Sequence, residues 1–279
     1  MKGTKMPARL LGTLLKGLAA IATLAMMPPA FATELRIGGT GAALGGMKII
    51  GAEFEKRNPD VEVTVFPSLG SSGGIKALVA GAVDIAVSAR QLKPKEAEKG
   101  LRAKLYATTP LALVTSSSTQ SHGLSMGELA AIFAGDMTEW EDGTQIRLVL
   151  RPKSETTTKA LQSLSDEMGD SVELAHARQG MLVASNDQDN ADALEKITGS
   201  LGVITLGQIA TEERNIKVLL LDGVLPEAGA APSRNILSTT SLFVVSTQDK
   251  PQVVEEFISF LFSPKGQEIL DVRNHASAK

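Results

Sequence analysis

Three short stretches of this chain combine small residues with hydroxyl side chains, the composition that offers donors to an anion. One is Gly39-Thr40-Gly41-Ala42-Ala43, a second runs from Val65 to Gly74 through Ser71 and Ser72, and a third is Arg151-Pro152-Lys153-Ser154-Glu155-Thr156-Thr157-Thr158. Each reads as a strand end followed by a helix start. The first backbone N–H groups of a helix have no intrahelical partner and lie at the positive end of its dipole, so they can hold an anion. Arg151 adds a planar fork of donors suited to an oxyanion. Taken singly, each stretch reads more simply as a helix cap. Together they favour one oxyanion site, because ligands of open α/β sheets bind at the carboxyl ends of strands.

Other chemistries find less support. Gly70-Ser71-Ser72-Gly73-Gly74 satisfies the G-x-S-x-G spacing of a hydrolase nucleophile, which would make Ser72 the nucleophile of a secreted serine hydrolase. A triad then needs a histidine, and the chain has three: His122 in a Ser/Gly loop, His176 in a strand or loop, and His275 in the polar tail. None is flanked as a positioned base would be. No cysteine or histidine cluster has zinc spacing, and no lysine follows a Gly-rich loop as in nucleotide-binding loops. No cofactor is therefore expected. Asp187-Gln188-Asp189-Asn190 is read as a helix N-cap rather than a metal site.

The elements that must position these loops alternate along the chain. Val61, Val63 and Val65 have the period of a half-buried strand, and Ile75, Leu78 and Val79 that of a helix. Short strands are expected at 84–88, 111–114, 147–150, 202–205 and 242–245. Helices are expected after Gly41, after Ser125-Met126-Gly127-Glu128 (a capping box), from Asp189 to Thr198, and over Val254, Phe257, Ile258 and Leu261. This rhythm predicts an α/β fold with mostly parallel sheets and helices on both faces. The tail from Asn274 to Lys279 is polar and expected to fray.

The beginning of the chain reads as an address. Lys2, Lys5, Arg9 and Lys16 precede an apolar run from Leu18 to Met27, then Pro28-Pro29 and the small-x-small site Ala30-Phe31-Ala32. That is the pattern of a secretory signal peptide over residues 1–32, cleaved after Ala32. Its apolar core is too short to span a bilayer. Cleavage removes four cations and no acid, making the formal charge of −3 more negative still. Such a balance argues against general binding to nucleic acid or an anionic membrane. With no cysteine, stability must come from the core.

Several of these residues resemble a family, the periplasmic phosphate-binding proteins of ABC transporters, which have the type II periplasmic-binding fold. SLGSSGGIKAL with the following VDIAVSARQL is similar to it in order and spacing, as are GELAAIFAGDMTEWEDGTQIRLVLRP and, more weakly, GSLGVITLGQI. The resemblance implies two lobes, each a doubly wound sheet, joined by a two-segment hinge near Leu111–Val114 and Thr239–Val245. Residues 33–112 and 240–279 would form one lobe and 113–239 the other. It implies ligand contacts at Ser71 and Arg151, backbone donors around Ala43 and Leu44, and a closing loop of Ser154, Glu155, Thr156 and Thr157. Ser72 and the segment Ser88-Ala89-Arg90 complete the candidate set. Two departures stand out: Glu155 replaces a small residue, and Ala89 stands where some members have a carboxylate that accepts a proton from the ligand. The implied function is capture of a tetrahedral oxyanion, phosphate first, for an ABC permease of the inner membrane, by a monomer in the periplasm and without covalent chemistry. A sensory or scaffold role for the same fold remains the other reading.

Overall fold

The computed structural model describes residues 1–3, 32–231 and 236–278. Residues 4–31, which carry the expected signal peptide, lie outside the described residues. From there the alternation expected of the sequence is realised: β1 (Thr33–Gly39), α1 (Gly41–Arg57), β2 (Val61–Val65), α2 (Gly70–Val79), β3 (Ile85–Ser88), α3 (Pro94–Ala97) and the long β4 (Leu101–Ser116). The chain continues through β5 (Gly123–Leu124), α4 (Met126–Ala134), β6 (Arg147–Leu150), α5 (Thr156–Gln162), α6 (Asp166–Ala177), β7 (Leu182–Val183) and α7 (Asp187–Lys196). It then forms β8 (Ser200–Thr205), α8 (Leu206–Thr211), β9 (Ile216–Val218), β10 (Leu220–Leu221), β11 (Thr239–Thr247), α9 (Gln252–Leu261), α10 (Pro264–Asp271) and β12 (Ala276–Ser277). No described helix is long and apolar enough to cross a membrane.

The strands hydrogen-bond in the order β2-β1-β3-β11-β4-β8-β6-β7. At each end the neighbours run parallel, β2-β1-β3 on one side and β8-β6-β7 on the other. The two middle strands, β11 and β4, run antiparallel to each other and to the strands beside them. Strand β4 serves both halves, pairing with β11 up to Pro110 and with β8 from Leu111. The apolar core follows the same partition. Met47, Ile50 and Phe54 of α1 pack with Leu35, Ile37 and Phe257 in one body, while Leu129, Phe133, Leu148 and Leu201 lie in another. The rings of Phe54 and Phe257 meet edge-on, 5.3 Å apart at 77°, an arrangement that adds about 0.5–1.5 kcal/mol to their area burial. β4 supplies Tyr106 and Ala107 to the first body and Leu111 and Leu113 to the second.

Local signals explain the helix ends. Ser125 Oγ accepts the Glu128 amide while Glu128 Oε2 accepts the Ser125 amide at 2.8 Å, the expected capping box. Gly135 closes α4 with φ 98°, left-handed backbone that favours glycine. The glycines of the second loop act partly through packing. A Cβ on Gly74 would lie 2.5 Å from Gly39 Cα, so α2 rests on the end of β1 main chain to main chain.

Two expectations are corrected. His176 lies on α6, whose N-terminus is capped by Ser165 Oγ accepting the Met168 amide at 3.0 Å. The tail does not fray over its described part: β12 pairs with β4 at Thr108 and Ala107, and His275 is buried. Thr109 Oγ1 donates to Asn274 O at 2.9 Å and accepts the Gly207 amide at 2.8 Å, which ties the tail to the start of α8.

Candidate functional site

Arg151 follows β6 directly and is buried, with 7% of its surface exposed. Thr158 Oγ1 of α5 donates to the Arg151 carbonyl at 3.1 Å and fixes the main chain there. Guanidinium Nη1 donates to Ala184 O at 2.7 Å, and Nη2 donates to Asp187 Oδ1 at 3.0 Å. The other oxygen of that carboxylate, Asp187 Oδ2, accepts from the Ala42 amide at 3.0 Å and from Thr40 Oγ1 at 3.1 Å. Thr40 is the N-cap of α1, and its hydroxyl makes no cap bond to its own helix. A carboxylate thus sits between a buried guanidinium and the donor end of a helix, where an anion is best held.

The sequence places Asp187 there for a local reason. Asn186 is the N-cap of α7, its Oδ1 accepting the Asp189 amide at 2.9 Å. Asp187, the first residue of the helix, is therefore free to reach across. Gly41 makes room for it, since a Cβ on Gly41 would lie 2.6 Å from Asp187 Cβ and 2.3 Å from Gln188 Oε1. Beside the carboxylate is a cavity of only about 20 Å³, bordered by Thr40, Ala42, Arg151, Thr157, Asn190 and Gln208 among others. Two oxygens of its lining residues are buried without a hydrogen-bond partner, Thr157 Oγ1 and Asn190 Oδ1. A wider cleft of about 550 Å³ adjoins it through Ala89, Glu155 and Thr156.

Arg151, Glu155, Thr156 and Thr157 of the candidate set border the inner cavity, whereas Ser71, Ser72, Arg90 and Ser154 border the outer cleft. Ser71 Oγ accepts the Ala89 amide at 3.0 Å, so it already joins α2 to the end of β3. Arg90 makes a two-pronged pair with Glu96, at 2.8 and 2.9 Å, and also donates to Ser72 Oγ at 3.0 Å. Its hydrogen bonds pull the Glu96 carboxyl down to about 2. Ser88 is wholly buried and its hydroxyl closes a turn, donating to Arg90 O at 2.7 Å and accepting the Arg90 amide at 3.2 Å.

Three candidates, Ala43, Leu44 and Ser88, stand differently from expectation. The Ala43 amide is spent on Thr40 O at 3.1 Å, and the side chains of Ala43 and Leu44 lie in the apolar core. The amide that reaches the Asp187 carboxylate is that of Ala42, one residue earlier. Ser88 is sealed off by its turn. The Glu155 side chain is 42% exposed with its Oε2 3.8 Å from Arg151 Nη2, while Lys153 pairs with Glu173 and Arg90 with Glu96. Sequence reasoning missed Thr40, Ala42, Asp187 and Asn190 as a set. The available signal was that Asn186 alone suffices to cap α7, which leaves the acid behind it without a local task.

The hydrolase reading loses its geometry here. Ser72 Oγ faces the Arg90 guanidinium, and none of the three histidines borders the cavity or the cleft. What the arrangement does offer is a set of donors at the carboxyl ends of β1 and β6 that converge on one carboxylate.

A helix-flanked sheet with parallel strands at each end and the antiparallel β4 and β11 between them is the type II periplasmic-binding fold. The chain belongs to the PBP superfamily, whose domain profile matches residues 27–265. Among relatives, the phosphate-binding protein PstS of Borreliella burgdorferi is 24% identical over 233 residues, 81% of this chain and 83% of that protein. A substrate-binding protein from Clostridium perfringens, solved with bound phosphate, superposes with a TM-score of 0.72 at 21% identity, covering 88% of this chain and all of that one. The periplasmic molybdate-binding protein of Azotobacter vinelandii gives 0.62 at 18% identity, again over 88% of this chain and 100% of that one.

Proposed function

We propose that the protein captures a tetrahedral oxyanion, phosphate first, and presents it to an ABC permease in the inner membrane. The observation that carries this reading is the donor set around the Asp187 carboxylate: the Arg151 guanidinium, the Ala42 amide and the Thr40 hydroxyl all point at one negative group. Charge-assisted hydrogen bonds of this kind are about twice as strong as neutral ones, and more so where water is scarce. The PstS relative and the phosphate-bound structure from C. perfringens support phosphate as the first anion to try. In this reading Arg151, Thr40, Ala42 and Thr157 hold the anion, and Ser71, Thr156 and Glu155 meet it from the outer cleft.

The two lobes would be residues 33–112 with 240–279, and 113–239, in keeping with the division of the apolar clusters to either side of β4 and with the place of β4 and β11 in the middle of the strand order. The protein would act as a monomer in the periplasm after cleavage behind Ala32, binding without making or breaking covalent bonds. Calorimetry of the chain from Thr33 against phosphate, sulfate, arsenate, molybdate and tungstate tests this. Saturable binding of phosphate or another of these anions is expected, and heat from none of them would refute it.

A further inference from the structure

We infer that Asp187 is a tethered occupant of the anion seat, a carboxylate of the protein's own that an incoming anion must displace. This rests on the anion-capture reading above. Both oxygens of Asp187 are engaged by the donors that an external anion would need: Arg151 Nη2 on one, Ala42 N and Thr40 Oγ1 on the other. The remaining space of about 20 Å³ holds roughly one water, too little for a four-oxygen anion beside the carboxylate. Room for Asp187 is built into the chain, because any side chain at Gly41 would collide with it.

Charge points the same way. Among the described residues Arg151 is the only cation bordering the cavity, and Asp187 and Glu155 both border it. A doubly charged oxyanion added with Asp187 in place would meet two carboxylates against one guanidinium. With Asp187 withdrawn, it takes over the same three donors. It also offers further oxygens to the Thr157 hydroxyl, which is buried without a partner now. A free monocarboxylate has only two oxygens and copies what Asp187 already does. It competes poorly, since a tethered group acts at an effective concentration in the millimolar range or above. Asp187 therefore filters ligands by oxygen count and charge, and lowers affinity for those it admits.

Phosphate titration of the wild type, Asp187→Ala and Asp187→Asn at neutral pH tests this, with Arg151→Met added to Asp187→Ala as a control. The expected result is that both single variants bind phosphate at least about tenfold more tightly than the wild type, a change of ~1.4 kcal/mol, and that the Arg151 change removes the gain. Acetate should raise the melting temperature of Asp187→Ala and leave that of the wild type where it is. Should the alanine variant not fold, the asparagine variant decides, since it keeps the shape and removes the charge. Equal or weaker phosphate binding by the variants overturns the inference and leaves phosphate capture standing, with Asp187 reduced to positioning Arg151. An equal acetate effect in both proteins also overturns it. Absence of phosphate binding in every protein overturns phosphate as the captured anion and this inference together, and leaves capture of another oxyanion to the calorimetry above.

Discussion

Gly207 and His275 are in such close contact that a Cβ on the glycine would lie 2.5 Å from the Cε1 and Nε2 of the ring, and 2.9 Å from Thr109 Oγ1. Gly207→Ala therefore overfills a packed site and should cost about 1–3 kcal/mol. The loss should shrink when His275→Ala is added, because the ring is what the methyl meets. Urea unfolding of the two single variants and the double variant measures this, and strictly additive effects would mean that the ring is not the obstacle.

The same histidine makes stability depend on pH. Burial pushes the His275 imidazole below its ordinary value, outweighing the Arg273 and Leu270 backbone groups and the Asp271 carboxylate that favour its charged form. The unfolded chain therefore takes up the proton first. The contribution of His275 is intact above roughly pH 6.5 and declines as pH falls below that value toward the folded one. Urea midpoints measured between about pH 5 and 8 should drop on the acid side, and His275→Gln should flatten that part of the profile.

Arg151→Ala should weaken phosphate binding by about 2–5 kcal/mol, the scale for truncating one partner of a buried charge pair. It also leaves Asp187 without its cation, so the free protein should melt earlier. Calorimetry and thermal unfolding read the two effects separately. Unchanged affinity would remove Arg151 from the site.

Glu155 stands 3.8 Å from the guanidinium and is 42% exposed. Part of its repulsion of an anion is therefore screened, and Glu155→Gln should change affinities by only about 0.5–1 kcal/mol. The effect should favour sulfate over phosphate, because phosphate retains a proton near neutrality that a carboxylate can accept and sulfate does not. Competition of the two anions for the variant and the wild type gives the ratio, and an unmoved ratio makes Glu155 a solvated loop residue.

Much of the frame was legible because local patterns agree with the tertiary result. Val61, Val63 and Val65 alternate and form β2, Ser125 and Glu128 make their reciprocal cap, and Arg151 follows a strand. The seat itself was only half legible. Thr40 and Asp187 are 147 positions apart, and their contact depends on an absent Cβ at Gly41, which no periodicity encodes. The expectation that Asp187 caps its own helix rested on a sound rule, but Asn186 fulfils that rule instead. For the tail, polar composition misled. Ala276 and Ser277 pair through their main chain, and His275 is buried by what packs around it.

Where Gly74 lies on Gly39, no side chain separates α2 from β1. The spacing is the thickness of bare polypeptide. It has no rotamer to change and nothing soft to compress, unlike a leucine-on-valine contact that can relax by several tenths of an ångström. Ser71, one turn away on the same helix, is thereby held at a set height above the strand ends. Hydrogen bonds tolerate only a few tenths of an ångström, so a stop made of main chain is a reproducible way to keep that hydroxyl in range through thermal motion and through substitutions elsewhere in the core.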